Sequence, residues 1–76
     1  MARLSDYMKE IFFLIEEADE GGYIASAIGQ SIVTEADTLD ELKANIREAT
    51  ICHFDEGQAP QIAHLHFVKD EVLSLV

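Results

Sequence analysis

His64 and His66 stand two residues apart in QIAHLHFVK. On a strand both imidazoles leave the same face, where they could chelate a metal if a third ligand joined them. His53, Cys52 or an acid would have to supply it, and no HExxH or CxxC spacing is present. The plainer reading is a pair of half-exposed polar residues on a sheet face or at a subunit contact. Cys52 and His53 are neighbours, but adjacent helix residues point about 100° apart and make a poor nucleophile–base dyad. Cys52 is better read as a small apolar filler beside a helix stripe. Glu16, Glu17, Asp19 and Glu20 gather at a turn without the order of a calcium loop, which reads as a solvated acidic turn. Gly21-Gly22 is followed by no lysine and opens no helix, so it is not a phosphate cradle. The chain therefore offers no metal, cofactor or catalytic set.

The elements that carry these residues are legible in the spacing. Thr38 and Glu41 have the form of a capping box. Leu39, Leu42, Ile46, Ala49 and His53 follow at helical spacing, while Asp40, Lys43, Arg47 and Glu48 fall largely outside that stripe. A helix is expected from Thr38 to Phe54, stopped by Gly57 and Pro60. A lone helix of about 15 residues is marginal in water, so it needs a sheet to lie on.

Three strands are expected before it and one after it. Ile11 to Glu17 is a compact β-forming run with Ile11, Phe13 and Ile15 on one face and Phe12 and Leu14 on the other. Ala18 to Gly22 turns into Tyr23–Ile28, and Gly29-Gln30-Ser31 turns again into Ile32–Ala36. After the helix and a loop through Pro60, Gln61–Lys69 is a fourth strand, with Leu65 and Phe67 facing one way and His64, His66 and Val68 the other. A right-handed crossover puts it parallel to the first strand, in the order 3-2-1-4. The expectation is one α+β domain over residues 1–76, a β-β-β-α-β chain built from an antiparallel three-stranded meander, one helix and a parallel fourth strand. Residues 1–9 read as a leader, in which Tyr7 and Met8 could pack on the core edge. Residues 70–76 read as a short strand or an extended tail.

Composition narrows the function classes. The 76 residues are 49% hydrophobic, enough to fold but with little core to spare. No apolar run approaches a membrane span, the N-terminus lacks a signal-peptide core, and Cys52 is the single cysteine; a cytoplasmic protein is expected. Fifteen acids against five Lys and Arg give a net charge of −10, which disfavours direct binding to nucleic acid and suits a basic partner.

The run from Gly21 to Ala49, GGYIASAIGQSIVTEADTLDELKANIREA, resembles the HicB-like antitoxin family, the UPF0150 group of short proteins. A strand ending in Glu, the turn Gly21-Gly22-Tyr23, the small-residue stretch Ala25-Ser26-Ala27 and the helix start Asp37-Thr38-Leu39-Asp40-Glu41-Leu42 carry the likeness, and Asn45 to Ala49 continues it. The resemblance spans residues 10 to 55. It implies a pared-down ribonuclease H-like fold and, in many members, neutralisation of a small basic HicA-type toxin. The family's longer loop between strands two and three is replaced here by Ile28-Gly29-Gln30-Ser31. The stretch after Asp55 is too short for the DNA-binding domain of full antitoxins, so operator binding is not expected. Two-metal hydrolysis would need acids in the middle of the first and fourth strands, and Ile11–Ile15 and Ile62–Val68 have none. The chain is read as a non-catalytic binding scaffold. It is expected to form a homodimer or tetramer and to meet a basic toxin-like protein; the alternative is a small homo-oligomer with no toxin partner. The candidate interaction residues are Phe12, Phe13, Tyr23, His64 and His66. Of the two phenylalanines, one should belong to the face the helix leaves uncovered.

Overall fold

The computed structural model describes residues 9–76, so the expectations for Tyr7 and Met8 lie outside the described residues. Within them the order is β1 (Glu10–Glu17), β2 (Tyr23–Ala27), β3 (Val33–Ala36), α1 (Leu39–His53) and β4 (Ile62–Val68). The sheet runs β3-β2-β1-β4, with β1 antiparallel to β2 and parallel to β4, as the crossover argument requires. Residues 69–76 form no strand and continue as an extended tail. No helix is long and apolar enough to cross a membrane among the described residues.

Strand register decides which side chains share a face. Phe13 stands opposite Ala27 on β2 and Leu65 on β4, and Ile15 opposite Ala25 and Phe67. This is the helix side, where Ile11, Phe13, Ile15, Ala25, Ile32, Leu42 and Ile46 form the buried cluster. Phe12 stands beside His64, and Leu14 beside Ser26 and His66, on the opposite side.

The turns are built by backbone bonds that need positive φ. Gly21 N–H donates to Ala18 C=O at 3.0 Å, with Gly21 and Gly22 at φ 97° and 84°. Gly22 is required twice over: a Cβ there would sit 2.8 Å from Ala36 O, on the neighbouring strand. A Cβ at Gly21 would meet open space.

The helix start follows the expected chemistry in part. Thr38 Oγ1 accepts from Glu41 N–H at 3.2 Å, the forward half of a capping box, and no return bond from the Glu41 carboxylate is found among the described residues. Its end differs from expectation. The chain leaves the helix through an extended Phe54, whose N–H bonds Thr50 C=O at 3.3 Å; Gly57 instead serves the turn closed by Gln58 N–H on Asp55 C=O.

The buried stripe differs too: it is Leu42, Ile46 and Thr50, while His53 is exposed. Fifteen helical residues rise about 22 Å, whereas the four of β3 span only about 13 Å. The last turn therefore overhangs the sheet, and His53 Nε2 lies 3.3 Å from Gln30 Oε1 in the β2–β3 turn. The helix rests mainly on β3 and β2, tied to the β3 edge by Asn45 Nδ2 donating to Glu35 O at 3.0 Å.

Leu42 is 0% and Ile46 3% exposed, so Leu42→Asp or Ile46→Asp puts an unpaired carboxylate into this cluster. Each change is expected to cost about 3–5 kcal/mol, most of the stability of a domain this small. Circular dichroism should show loss of the cooperative thermal transition; near-native melting of either variant would mean that the helix presents another face.

Candidate functional site

β1 is apolar on both faces, and α1 lies on only one. The other face of the sheet carries Phe12 and Leu14 from β1, Ile24 and Ser26 from β2, Val33 from β3, and Ile62, His64, His66 and Val68 from β4. Val33 and Val68 are exposed, and Phe12 keeps 39% of its surface in contact with solvent.

The centre of this face is ordered by ring packing. Phe12 stacks on His64, with ring centroids 4.4 Å apart and planes 11° from parallel, and His66 approaches Phe12 at 5.7 Å in a tilted arrangement. The parallel register makes this contact, because it sets residue 12 level with residue 64. His64 Nε2 lies 3.4 Å from Glu10 Oε1 but outside hydrogen-bonding geometry, and this shielded nitrogen has no hydrogen-bond partner. The stack holds the imidazole flat against an aromatic ring and leaves the face broad, apolar and polar only at its histidines.

The candidate interaction residues thus divide. Phe12, His64 and His66 come together on the open face. Phe13 is 0% exposed inside the core, so the register selects Phe12 as the phenylalanine of the uncovered side. Tyr23 lies on the helix side, half-buried against the core, and lines a second feature. This is a depression of about 670 Å³ between the β1–β2 turn and the start of α1, bordered by Asp19, Glu20, Glu35, Asp37 and Glu41. Of the turn acids singled out in the sequence, only Asp19 and Glu20 reach it; Glu16 stands on the open face.

His64 and His66 share a face as expected, yet no group of three or more His, Cys, Asp or Glu is placed to hold a metal among the described residues. Cys52 is exposed rather than a filler of the stripe. It lies about 80° around the helix from Leu42, outside the arc that meets the sheet.

Thr50 was not singled out by the sequence. It is 6% exposed, and its Oγ1 has no hydrogen-bond partner. It lines a groove of about 450 Å³ between α1 and β4, where the helix stops short of the outer strand. A threonine in a helical run reads as surface, and only the lateral position of α1 on the sheet reveals otherwise.

Two relatives place this chain in a family. A UPF0150 protein of Thermotoga maritima is 46% identical over 67 residues, covering 88% of this chain and 94% of its own. The chain belongs to the UPF0150 family. A UPF0150 protein of Archaeoglobus fulgidus is 47% identical over 53 residues, 70% of this chain and 79% of its own. No family model and no solved structure matches the chain. Membership in UPF0150 agrees with the resemblance carried by the Gly21–Ala49 run, and the name of neither relative states an activity.

The two phenylalanines should separate cleanly in stability. Phe13→Ala empties a fully buried site and is expected to cost about 3–5 kcal/mol. Phe12→Ala loses a half-exposed ring and its histidine stack, about 1 kcal/mol. Urea unfolding at sub-micromolar protein, where association is suppressed, should rank them so; equal losses would mean the register of β1 is reversed.

Proposed function

We propose that this UPF0150 chain is a non-catalytic, HicB-like interaction domain that pairs with a second copy through the open sheet face and takes a small basic, toxin-like protein as its partner. The observation that carries the reading is the sheet face centred on Phe12, uncovered among the described residues. An apolar sheet face left in water is unfavourable, and a two-fold contact buries it symmetrically. The histidines suit such a contact, since each offers one flat apolar surface and one polar edge.

Electrostatics supports the second half of the proposal. The net charge of −10 is concentrated in part around the depression beside Tyr23, where Asp19, Glu20, Asp37 and Glu41 stand apart from the Phe12 centre of the open face, so pairing and partner binding need not compete. A cationic side chain entering that depression would find carboxylates on several sides and a phenol ring at its wall. A role without catalysis is favoured by the composition of β1 and β4, whose central residues are apolar or histidine.

Sedimentation equilibrium at micromolar protein in ~0.15 M salt is expected to give at least a dimer, and Phe12→Glu is expected to return it to monomer. A concentration-independent monomer for the unsubstituted chain would overturn the pairing. Co-purification with a small basic protein encoded beside it should weaken as salt rises and weaken further in Asp37→Lys/Glu41→Lys, by roughly tenfold. Absence of any such complex would favour a homo-oligomer with no toxin partner. RNA, DNA and RNA–DNA hybrid incubated with the protein in Mg²⁺ or Mn²⁺ are expected to remain intact. Cleavage lost on Glu16→Gln would refute the non-catalytic reading.

A further inference from the structure

The groove between α1 and β4 is distinct from the open face and has the chemistry of a binding site. Its floor is apolar, formed by Ile11, Ile46 and Leu65, and its rim carries Lys43 and Arg47, one helical turn apart. Among the described residues neither cation is paired with a carboxylate, in a chain where acids outnumber Lys and Arg three to one. Thr50 lines the same groove, with its Oγ1 shut away from the surface. A cation pair above an apolar floor calls for a segment that is acidic at one end and apolar along the rest.

The chain itself carries such a segment. Residues 69–76, KDEVLSLV, leave β4 as an extended tail with Val72, Leu73, Leu75 and Val76 all exposed. No backbone hydrogen bond joins the tail to the rest of the described residues; Ser74 Oγ bonds only Val76 O, at 3.1 Å. The radius of gyration is 15.0 Å, against about 11 Å for a compact chain of this length, as expected for a tail that stands clear of the domain. In an extended segment Glu71, Leu73 and Leu75 share one side at about 6.7 Å intervals, an acid followed by two leucines.

We propose that residues 70–76 of one copy lie in the α1–β4 groove of a second copy, with Asp70 and Glu71 at Lys43 and Arg47 and the leucines over the apolar floor. A basic partner does not suit this groove, because its rim is cationic. Docking is between copies because the tail, once past Val68, stands clear of its own groove, with Val72, Leu73, Leu75 and Val76 all exposed and no backbone bond back to the domain. Two copies exchanging tails would satisfy both grooves by one two-fold axis.

The test is disulfide capture in the 76-residue chain carrying Cys52→Ser. One preparation carries Leu73→Cys and the other Ile51→Cys, at a groove position that is 67% exposed and tolerant of change. Mixed and oxidised, they are expected to give a covalent heterodimer well above the level reached with Ala44→Cys, which lies on the exposed side of α1. Lys43→Glu/Arg47→Glu is expected to weaken capture about fivefold, and Asp70→Lys/Glu71→Lys in the other copy to restore it. Capture no better than the Ala44→Cys control would overturn the proposal. So would a chain bearing both Leu73→Cys and Ile51→Cys that closes on itself as a monomer while the mixed single variants stay apart. Repeating the capture with Phe12→Glu in both copies separates the two contacts. The tail cross-link is expected to persist when the sheet-face pairing is lost, and the proposal fails if it does not.

Discussion

The packing of Leu42 and Ile46 into the cluster of Phe13, Ile15 and Ala25 fixes where α1 lies, and the rest of the surface follows from that position. The helix follows β3 almost at once, through the short link Asp37-Thr38, so it must run back over β3 and β2. A single helix about 10 Å wide cannot also reach β4, two strands further on at about 4.8 Å per strand. Phe67 therefore keeps 57% of its surface exposed although it points to the helix side, and a groove opens beside Thr50. Among the described residues no helix lies on the far face of the sheet. Both apolar surfaces follow from α1 serving four strands alone among those residues.

How far the sequence reveals this depends on the kind of signal. Strand order and the parallel pairing of β1 with β4 were legible, because alternation in Ile11–Ile15 and the handedness of the crossover leave few alternatives. Which phenylalanine is buried was not, since β1 is apolar at both parities and period two alone cannot orient it. Pairing resolves the choice: Ala25 and Ala27 lie level with Ile15 and Phe13, and small residues there let the helix come down onto the larger side chains. Thr50 and His53 show the limit of a helical stripe. His53 lies close to the direction of Leu42, but burial also requires sheet beneath that turn, and β3 is too short to provide it. Thr50 is buried on the same side of the stripe as Ile46, a placement with no signature in the chain.

The distribution of charge adds a second organising effect. Asp19, Glu20, Glu35, Asp37 and Glu41 converge at the end of the sheet where β1 turns into β2 and β3 enters the helix. Asp40 and Glu41 also occupy the first helical turn, where the macrodipole favours carboxylates. Lys43 and Arg47 lie on the opposite side of the helix, toward β4. A chain with a net charge of −10 thus keeps one local region where an anion would be favoured, and the helix itself divides the two.

Size explains why such surfaces persist. A domain of this length buries only about 60% of its unfolded surface, and its core here is a small set of aliphatic side chains around one phenylalanine. A second helix on the open face would order about fifteen residues, each at about 1–2 kcal/mol in backbone entropy. The proposed pairing of two copies would reach the same burial with surfaces that are already ordered. The stacked Phe12 and His64 rings are held by the strand register before any partner arrives, so little side-chain freedom remains to be lost there. The tail differs: it is unpaired along its length, and docking it must order each residue afresh. A preformed face suits the tighter contact, and an extended arm suits a contact that depends on charge and can be released.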